Sequence, residues 1–484
     1  MRVLLINPPF KPEHGRFSRS SRSPAVAKSG TLYYPFWLAY ATGVLEKEGF
    51  EARLIDAPAA GSTAAAVLHQ ARAFAPGLAV LDTSTPSIMS DVRFAAALKA
   101  AQPETFILLV GTHPSALPTE TLNLERSIDG VAIGEYDYTV RDLARALKTG
   151  GDLRGVEGMA LREREQVVFT APRPFIDDLD EIPFVSSVYQ KHLHYRHYFE
   201  SMARHPMVMI ISGRGCPFRC FFCVYPQVFH GHKYRLRSPE NVVAEFAYIL
   251  ENFPEVQEIG IEDDTFTANL NRVREICRLL IKEGIHRRVK WWANARVNLD
   301  LETMRLMKEA GCRLLIPGFE SGDQAILNNM GKAITLEQSR QYVADAKKAG
   351  LLVHGCFMVG NPGETRETME ATLNFAKELD LDTAQFYPLI PYPGTRAYKW
   401  AREQGCLKTE NYEEWLTPEG LHNTVISLPG ITDQELVQFC DYARRAFYLR
   451  PRYLGRKFVQ SLANWQEAKR NIMSFRHLCK YLFK

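Results

Sequence analysis

The sequence predicts an α/β protein with two sheet-bearing halves and a helical end. Three observations carry that expectation. Short apolar runs alternate with helical patterns over residues 1–150, and do so again over 201–400. Each apolar run of the second half is followed by a polar, charged or Gly/Pro-rich loop. The stretch 401–484 keeps helical periodicity without further strands. Repeated β–α units give parallel sheets. Residues 1–150 are therefore expected to form a doubly wound, Rossmann-like domain and 151–200 a hairpin and linker. A partial (β/α)6 barrel is expected over 201–400 and a helical cap over 401–484.

In the first half, Val3–Ile6, Ala52–Ile55, Leu78–Leu81, Phe106–Val110 and Gly130–Ile133 read as strands. Ligands of such sheets bind beyond the carboxyl ends of the strands. The loops there are Asn7-Pro8-Pro9, Thr83 to Ser87, Gly111 to Pro114 and Gly134 to Tyr136. They are small, polar and turn-forming, which suits either close approach to a large flat ligand or plain turn chemistry. Gly158–Glu163 and Gln166–Thr170 read as a hairpin, and Asp177 to Pro183 as an acidic linker. His192, His194 and His197 have no usual metal-site spacing and are read as structural.

In the second half the strands are Met207–Ile211, Glu258–Ile261, Lys290–Trp292, Leu314–Pro317, Val353–Val359 and Ala384–Tyr387. Ser238-Pro239-Glu240 supplies start chemistry for the first long helix. Active sites of β/α barrels lie at the carboxyl ends of the strands. Gly213 to Cys223 follows the first strand, Glu262-Asp263-Asp264-Thr265 the second, and Asn294 and Arg296 the third. Gly318 to Gly322 follows the fourth, Gly360 to Glu364 the fifth and Pro391 to Thr395 the sixth. Six consecutive loops of this character on one rim argue for an enzyme.

The first of these loops holds Cys216, Cys220 and Cys223, spaced C-x3-C-x2-C. Three thiolates on one loop can hold an iron–sulfur cluster, whose irons favour thiolate ligands. Three ligands on a four-iron cubane leave one iron open to a small molecule. A zinc site would need a fourth ligand, for which His230 and His232 are the available candidates. The other six of the nine cysteines are isolated, as in a reduced cytoplasmic protein rather than a disulfide framework.

Charge is uneven. Residues 444–484 carry eleven Lys/Arg and one glutamate, a net +10 in a chain whose total is +4, which leaves −6 on the rest. Eight aromatics interleave with those charges. Such a segment suits peripheral contact with an anionic membrane or a solvated helix, and nucleic acid less well. No apolar run approaches the ~18–20 residues of a membrane span, and the apolar opening is too short for a signal peptide.

The cysteine spacing with Phe222 before the last thiol, together with the rim loops, resembles radical S-adenosylmethionine (SAM) enzymes. The first domain, placed ahead of such a core, resembles their B12 (cobalamin)-binding domain. The phrases Tyr34 to Ala39, Thr83 to Ser87, Gly213 to Arg237 and Asp263 to Thr267 resemble the hopanoid-lipid subgroup, which includes bacteriohopanetetrol cyclitol ether synthase. The resemblance implies a [4Fe–4S] cluster on Cys216, Cys220 and Cys223, with SAM on the open iron. It further implies that Glu262, Asp263 and Asp264 face the SAM ammonium, Arg296 its carboxylate, Glu320 the ribose, and Gly355 and Gly360 the adenine. Ser84, Thr85, Gly111, His113 and Gly134 would border cobalamin. The usual Asp-x-His cobalt motif is replaced by Asp82-Thr83-Ser84, so His113 is expected to be a loop residue and not a cobalt ligand.

The implied activity is cleavage of SAM to a 5′-deoxyadenosyl radical that attacks an unactivated carbon of a lipid or other hydrophobic substrate. The implied electron donor is of flavodoxin or ferredoxin type. Rearrangement or cyclisation is the first expectation and cobalamin-dependent C-methylation its alternative. A non-catalytic cluster carrier would not need Glu320 or Arg296. A tRNA methylthiotransferase usually has a second cysteine-bearing domain, and this sequence has no second cysteine cluster.

Overall fold

The computed structural model describes residues 1–463, 468–470 and 472. Its first sheet contains β1 (Arg2–Asn7), β2 (Glu51–Asp56), β3 (Leu78–Thr83), β4 (Phe106–Gly111), β5 (Gly130–Ala132), β6 (Met159–Glu163) and β7 (Gln166–Phe169). The strand order is β2-β1-β3-β4-β5-β6-β7. The first five strands are parallel, and β6 and β7 are antiparallel. Nearly every residue of β1, β3 and β4 is buried, as continuous apolar runs between two helical layers must be. The hairpin expected within the connecting segment is thus the antiparallel edge of this sheet. The strand order reverses between β1 and β3, which sets a crevice beyond their carboxyl ends.

The second sheet is β8 (Met207–Ile210), β9 (Glu258–Ile261), β10 (Lys290–Ala295), β11 (Cys312–Glu320), β12 (Leu352–Val359) and β13 (Thr383–Pro388). All six are parallel and adjacent in chain order, the pattern of an open barrel. On the helix-facing side of the sheet the rings of Phe319, Phe357 and Phe386 stack in sequence, with Phe319 against Tyr342 and Phe386 against Phe447. Strand β11 is longer than the apolar run suggests, and Glu320 is its last residue.

Helix α1 (Phe36–Lys47) lies between the two halves. Tyr34, just ahead of it, donates to the Met207 carbonyl at 2.8 Å, and Tyr40 to that of Ile211 at 3.1 Å. Two buried ion-pair sets lock the halves together. Arg214 donates to Asp137 at 2.7 Å, and Arg235 to Glu135 at 2.8 Å. Helix α2 (Pro239–Asn252) starts as expected, with Ser238 Oγ accepting from Asn241 N at 3.1 Å.

The final region is only partly helical. Helix α3 (Arg366–Leu379) belongs to the barrel, followed by α4 (Arg396–Glu403), α5 (Asp433–Tyr448) and α6 (Pro451–Ala463). Between α4 and α5 the chain is irregular apart from isolated bridges and one short turn. It runs back over the first domain, where Tyr412 donates to Glu120 at 2.6 Å. Helix α5 covers β13, and Tyr448 Oη accepts from Ala384 N and donates to its carbonyl.

Several arginines of the basic stretch point inward. Arg450 donates to the Lys377 carbonyl, and Arg456 to those of Asp380 and Leu381, at the carboxyl end of α3. Phe458, Val459 and Leu462 are exposed. Trp465, Phe475, Tyr481 and Phe483 lie outside the described residues. Among the described residues no helix is long and apolar enough to cross a membrane.

Candidate active site

A cavity of about 900 Å³ opens at the carboxyl rim of the barrel. Its wall includes all three clustered cysteines. Their loop is pinned by Gln227, whose Nε2 donates to the carbonyls of Phe221 at 3.1 Å and Cys223 at 2.8 Å. Gly215 has φ +84°, and a Cβ there would lie 2.3 Å from the Lys233 carbonyl, so the turn into the loop requires glycine. Burial pushes the Cys216 thiol up to about 11 and that of Cys223 higher still. His230 Nδ1 pairs with Asp264 and His232 Nδ1 with the Cys216 carbonyl.

The loop after β9 divides its three acids. Glu262 and Asp264 line the cavity. Asp263 does not: it accepts from Ser212 N at 2.6 Å and Ser212 Oγ at 2.7 Å, tying the loop to β8. Its side chain therefore faces Ser212 and not the cavity, while its carbonyl accepts from Arg22 at 2.8 Å. Glu262 Oε1 accepts from Arg22 at 2.5 Å, while its Oε2 and Thr265 Oγ1 are buried without hydrogen-bond partners among the described residues.

Arg296 lies on the wall, 3.5 Å from the centre of the Phe218 ring, and its guanidinium donates to the Lys332 carbonyl. Glu320 and Lys332 form a buried pair on the same wall. Gly355 and Gly360 take no part in that wall. A Cβ on Gly355 would lie 2.4 Å from Leu381 and 3.1 Å from Phe319, on the packed side of β12. Alternation along β12 sends His354 and Cys356 to the cavity instead. Gly360 has φ +93° and adjoins Leu436 and Leu389, so it shapes a turn. Gly355 and Gly360, expected to let backbone approach the adenine, turn their open faces to packed side chains and not to the cavity.

The sequence reading missed Arg22, Glu200, Lys332, Gln385 and Tyr387, all on the cavity wall. Burial, helped by the nearby Glu262 charge, pushes the Glu200 carboxyl up to about 7. Tyr387 donates to Gln385 Oε1 at 2.9 Å, and Gln385 to Cys356 Sγ at 3.0 Å.

The five residues expected beside cobalamin lie at the carboxyl edge of the first sheet. Ser84 and Ser87 hydroxyls meet at 2.8 Å, and Thr85 Oγ1 lies 3.2 Å from His113 Nδ1. Gly111 has φ +115°, and a Cβ there would come within 2.2 Å of the Thr83 carbonyl. Gly134 N donates to Ser115 Oγ at 3.0 Å. Arg19 lies across the crevice, donating to Asn7 Oδ1 at 2.7 Å and pairing with buried Asp91. The Tyr412 ring stands edge-on to His113 at 4.7 Å.

Residues 210–376 match the radical SAM superfamily and residues 22–144 the B12 binding domain. The chain is 33% identical over 455 residues, 94% of each protein, to an uncharacterized methyltransferase of Pyrococcus horikoshii. The chain belongs to the radical SAM superfamily, with a B12-binding domain ahead of the radical SAM domain. It is also 26% identical to the anaerobic magnesium-protoporphyrin IX monomethyl ester cyclase of Cereibacter sphaeroides, over 93% of this chain and 71% of the relative. In fold it is similar to the radical SAM methyltransferase TsrM of Kitasatospora setae, with TM-score 0.73, 17% identity and 99% of each chain covered. The cobalamin-dependent radical enzyme OxsB gives TM-score 0.70 at 16% identity, over 98% of this chain and 72% of that one.

The residues suit the cofactors of a radical SAM enzyme. Among the described residues no three His, Cys, Asp or Glu side chains gather closely enough to hold a single metal ion. The three thiols of the loop instead share one cavity wall, as ligands of separate corners of a [4Fe–4S] cluster would. The unpartnered Glu262 Oε2 and Thr265 Oγ1 beside them suit the polar groups of SAM. At the B12-binding edge, His113 Nε2 and Tyr136 Oη are likewise buried without partners among the described residues. That donor set suits the amide-rich periphery of a corrin, with Arg19 and Tyr412 lying across its approach.

Proposed function

We propose that this chain is a cobalamin-dependent radical SAM C-methyltransferase acting on an unactivated carbon of a small molecule. The observation that carries the reading is one cavity, about 900 Å³, joining the cysteine loop, Glu262, Thr265 and the Glu320–Lys332 pair to a polar aromatic wall. That volume accommodates SAM and a substrate together. Methyl transfer is supported by the Pyrococcus relative and by cytidylyl-2-hydroxyethylphosphonate methyltransferase of Streptomyces wedmorensis, 26% identical over 83% of each protein. The cyclase similarity supports a second reading, ring formation from the substrate radical. The hopanoid-lipid assignment draws no support from these relatives, which are named for other substrates.

The bound cofactors supply the radical and the methyl group. The chain's own residues orient the reactants. Glu262 and Thr265 receive the polar groups of SAM, and Glu320, held by Lys332, receives the ribose diol. Arg296, stacked on Phe218 of the cysteine loop, borders the SAM carboxylate. Residues of the segment 18–31, Arg22 among them, line the same cavity. Gln385, Tyr387 and His354 face the substrate. Burial lowers His354 to about 4, which keeps it neutral near pH 7. An external low-potential donor of flavodoxin or ferredoxin type reduces the cluster.

The test uses protein reconstituted anaerobically with iron, sulfide and cobalamin, then given SAM carrying a deuterated methyl group and a reductant. Methyl transfer predicts labelled methylcobalamin by mass spectrometry. Cleavage of SAM to 5′-deoxyadenosine with no labelled methylcobalamin would favour the ring-forming reading.

A further inference from the structure

We propose that Arg22 is a positioning residue for SAM, supplied by the N-terminal segment and acting through Glu262. The proposal rests on the reading that this cavity binds SAM. Arg22 and Glu262 are 240 positions apart in the chain. Arg22 Nη1 donates to Glu262 Oε1 at 2.5 Å, and Nη2 to the carbonyls of Glu262 at 3.3 Å and Asp263 at 2.8 Å. Nη2 is also 3.6 Å from Asp264 Oδ1, and the guanidinium sits 5.8 Å from the centre of the Tyr225 ring. One planar cation thus spans the motif loop along its backbone and side chains.

The consequence lies at the other oxygen. With Oε1 fixed by Arg22, Glu262 Oε2 is left buried on the cavity wall beside the Asn294 amide, without a hydrogen bond of ordinary geometry among the described residues. A buried carboxylate oxygen in that condition is costly unless a ligand completes it. The SAM ammonium is a cationic donor of the right kind. Burial pushes the Glu262 carboxyl up, Arg22 opposes that push and orients the group, and Oε2 receives the ammonium. Glu200 and Tyr33 also line this part of the cavity; Asp264 pairs with His230 and Asp263 faces Arg272, so Arg22 is the guanidinium set against Glu262 itself.

Arg22 is itself held by its segment. Tyr225 donates to the Ser20 carbonyl at 3.0 Å, and Ser23 O lies 3.0 Å from His422 Nε2. Arg19, three residues earlier, is anchored on Asp91 in the first domain. The segment therefore delivers one side chain from the B12-binding half to the SAM motif of the barrel.

The experiment is a double-mutant cycle on cluster-loaded protein, read as SAM dissociation constants by equilibrium dialysis without reductant. Arg22→Ala is expected to weaken SAM binding at least tenfold, and Arg22→Lys to recover most of that loss. In a Glu262→Gln background, Arg22→Ala should change the constant less than twofold, because the carboxylate it serves is gone. Unchanged or tighter binding in Arg22→Ala would overturn the proposal, as would an equal loss in both backgrounds. If Arg22→Ala does not fold, Arg22→Lys and Arg22→Gln carry the same cycle: Gln must lose affinity only when Glu262 is present. Wild-type protein that holds its cluster but binds no SAM would instead overturn the underlying reading of the cavity.

Discussion

Lys332 Nζ lies 2.6 Å from Glu320 Oε1, and both side chains are buried in the cavity wall. Glu320 has φ +64°, a left-handed conformation that costs a non-glycine residue energy and that concentrates at functional sites. Arg296 donates to the Lys332 carbonyl, so three residues named or implied by the SAM site form one connected set.

Breaking that pair from either side should cost stability, and from the Glu320 side SAM binding as well. Glu320→Gln removes the carboxylate that would hold the ribose and should weaken SAM binding by ~1–3 kcal/mol. Lys332→Met leaves a buried carboxylate without its partner and should cost about 3–5 kcal/mol of unfolding free energy. Equilibrium dialysis and urea unfolding check the two arms.

The buried pairs between the halves give a second test. Arg235→Met leaves Glu135 only the more distant Arg214, 3.7 Å away, and should destabilise the protein by about 1–3 kcal/mol. Arg154→Met breaks the Arg154–Glu163 pair at the surface and should leave the urea midpoint unchanged. Similar shifts in both variants would show that the interface pairs do not join the halves.

His113 predicts a pH dependence. Burial lowers it from 6.5 to about 3, so between those values the unfolded chain binds a proton that the folded protein does not. Its contribution to stability is therefore full above pH 6.5 and is lost as pH falls toward 3. Between pH 7 and 5 the wild type should lose ~2 kcal/mol more than His113→Gln. Urea unfolding at the two pH values measures the difference, and parallel losses would contradict the assignment.

The same residue bears on cobalt. His113 Nδ1 faces Thr85, the Tyr412 ring stands edge-on to it, and its Nε2 is buried without a partner among the described residues, so the spectrum of bound cobalamin decides whether that nitrogen reaches cobalt. Cobalamin bound here should lack an imidazole ligand, and the electron paramagnetic resonance spectrum of its Co(II) form should show no nitrogen superhyperfine splitting. Splitting that disappears in His113→Ala would reverse this expectation.

Much of this architecture is written locally in the chain. Continuous apolar runs announce the strands, and the three cysteines announce their loop because they lie within eight positions. Residues that meet only through the fold carry no such signal. Arg22 reaches Glu262 across 240 positions, and Glu200 enters the cavity from a segment that reads as a linker. Alternation decides which neighbouring side chains reach the cavity. Strand alternation places His354 and Cys356 on one face of β12 and Gly355 on the other. Asp263, between Glu262 and Asp264, likewise turns away from the cavity. The irregular chain before α5 has no strand periodicity, and its place over the first domain is set by tertiary contacts such as Tyr412 with Glu120.

The central claim is that Cys216, Cys220 and Cys223 hold a cluster that cleaves SAM within this cavity. The direct measurement is iron content and 5′-deoxyadenosine formation after anaerobic reconstitution with SAM and a reductant, for the wild type and each single Cys→Ala variant. The wild type should hold about four irons and form 5′-deoxyadenosine, as a cubane with one open corner requires. Each variant should lose the product while keeping its fold. Wild-type product formation in any of the three variants would contradict the account.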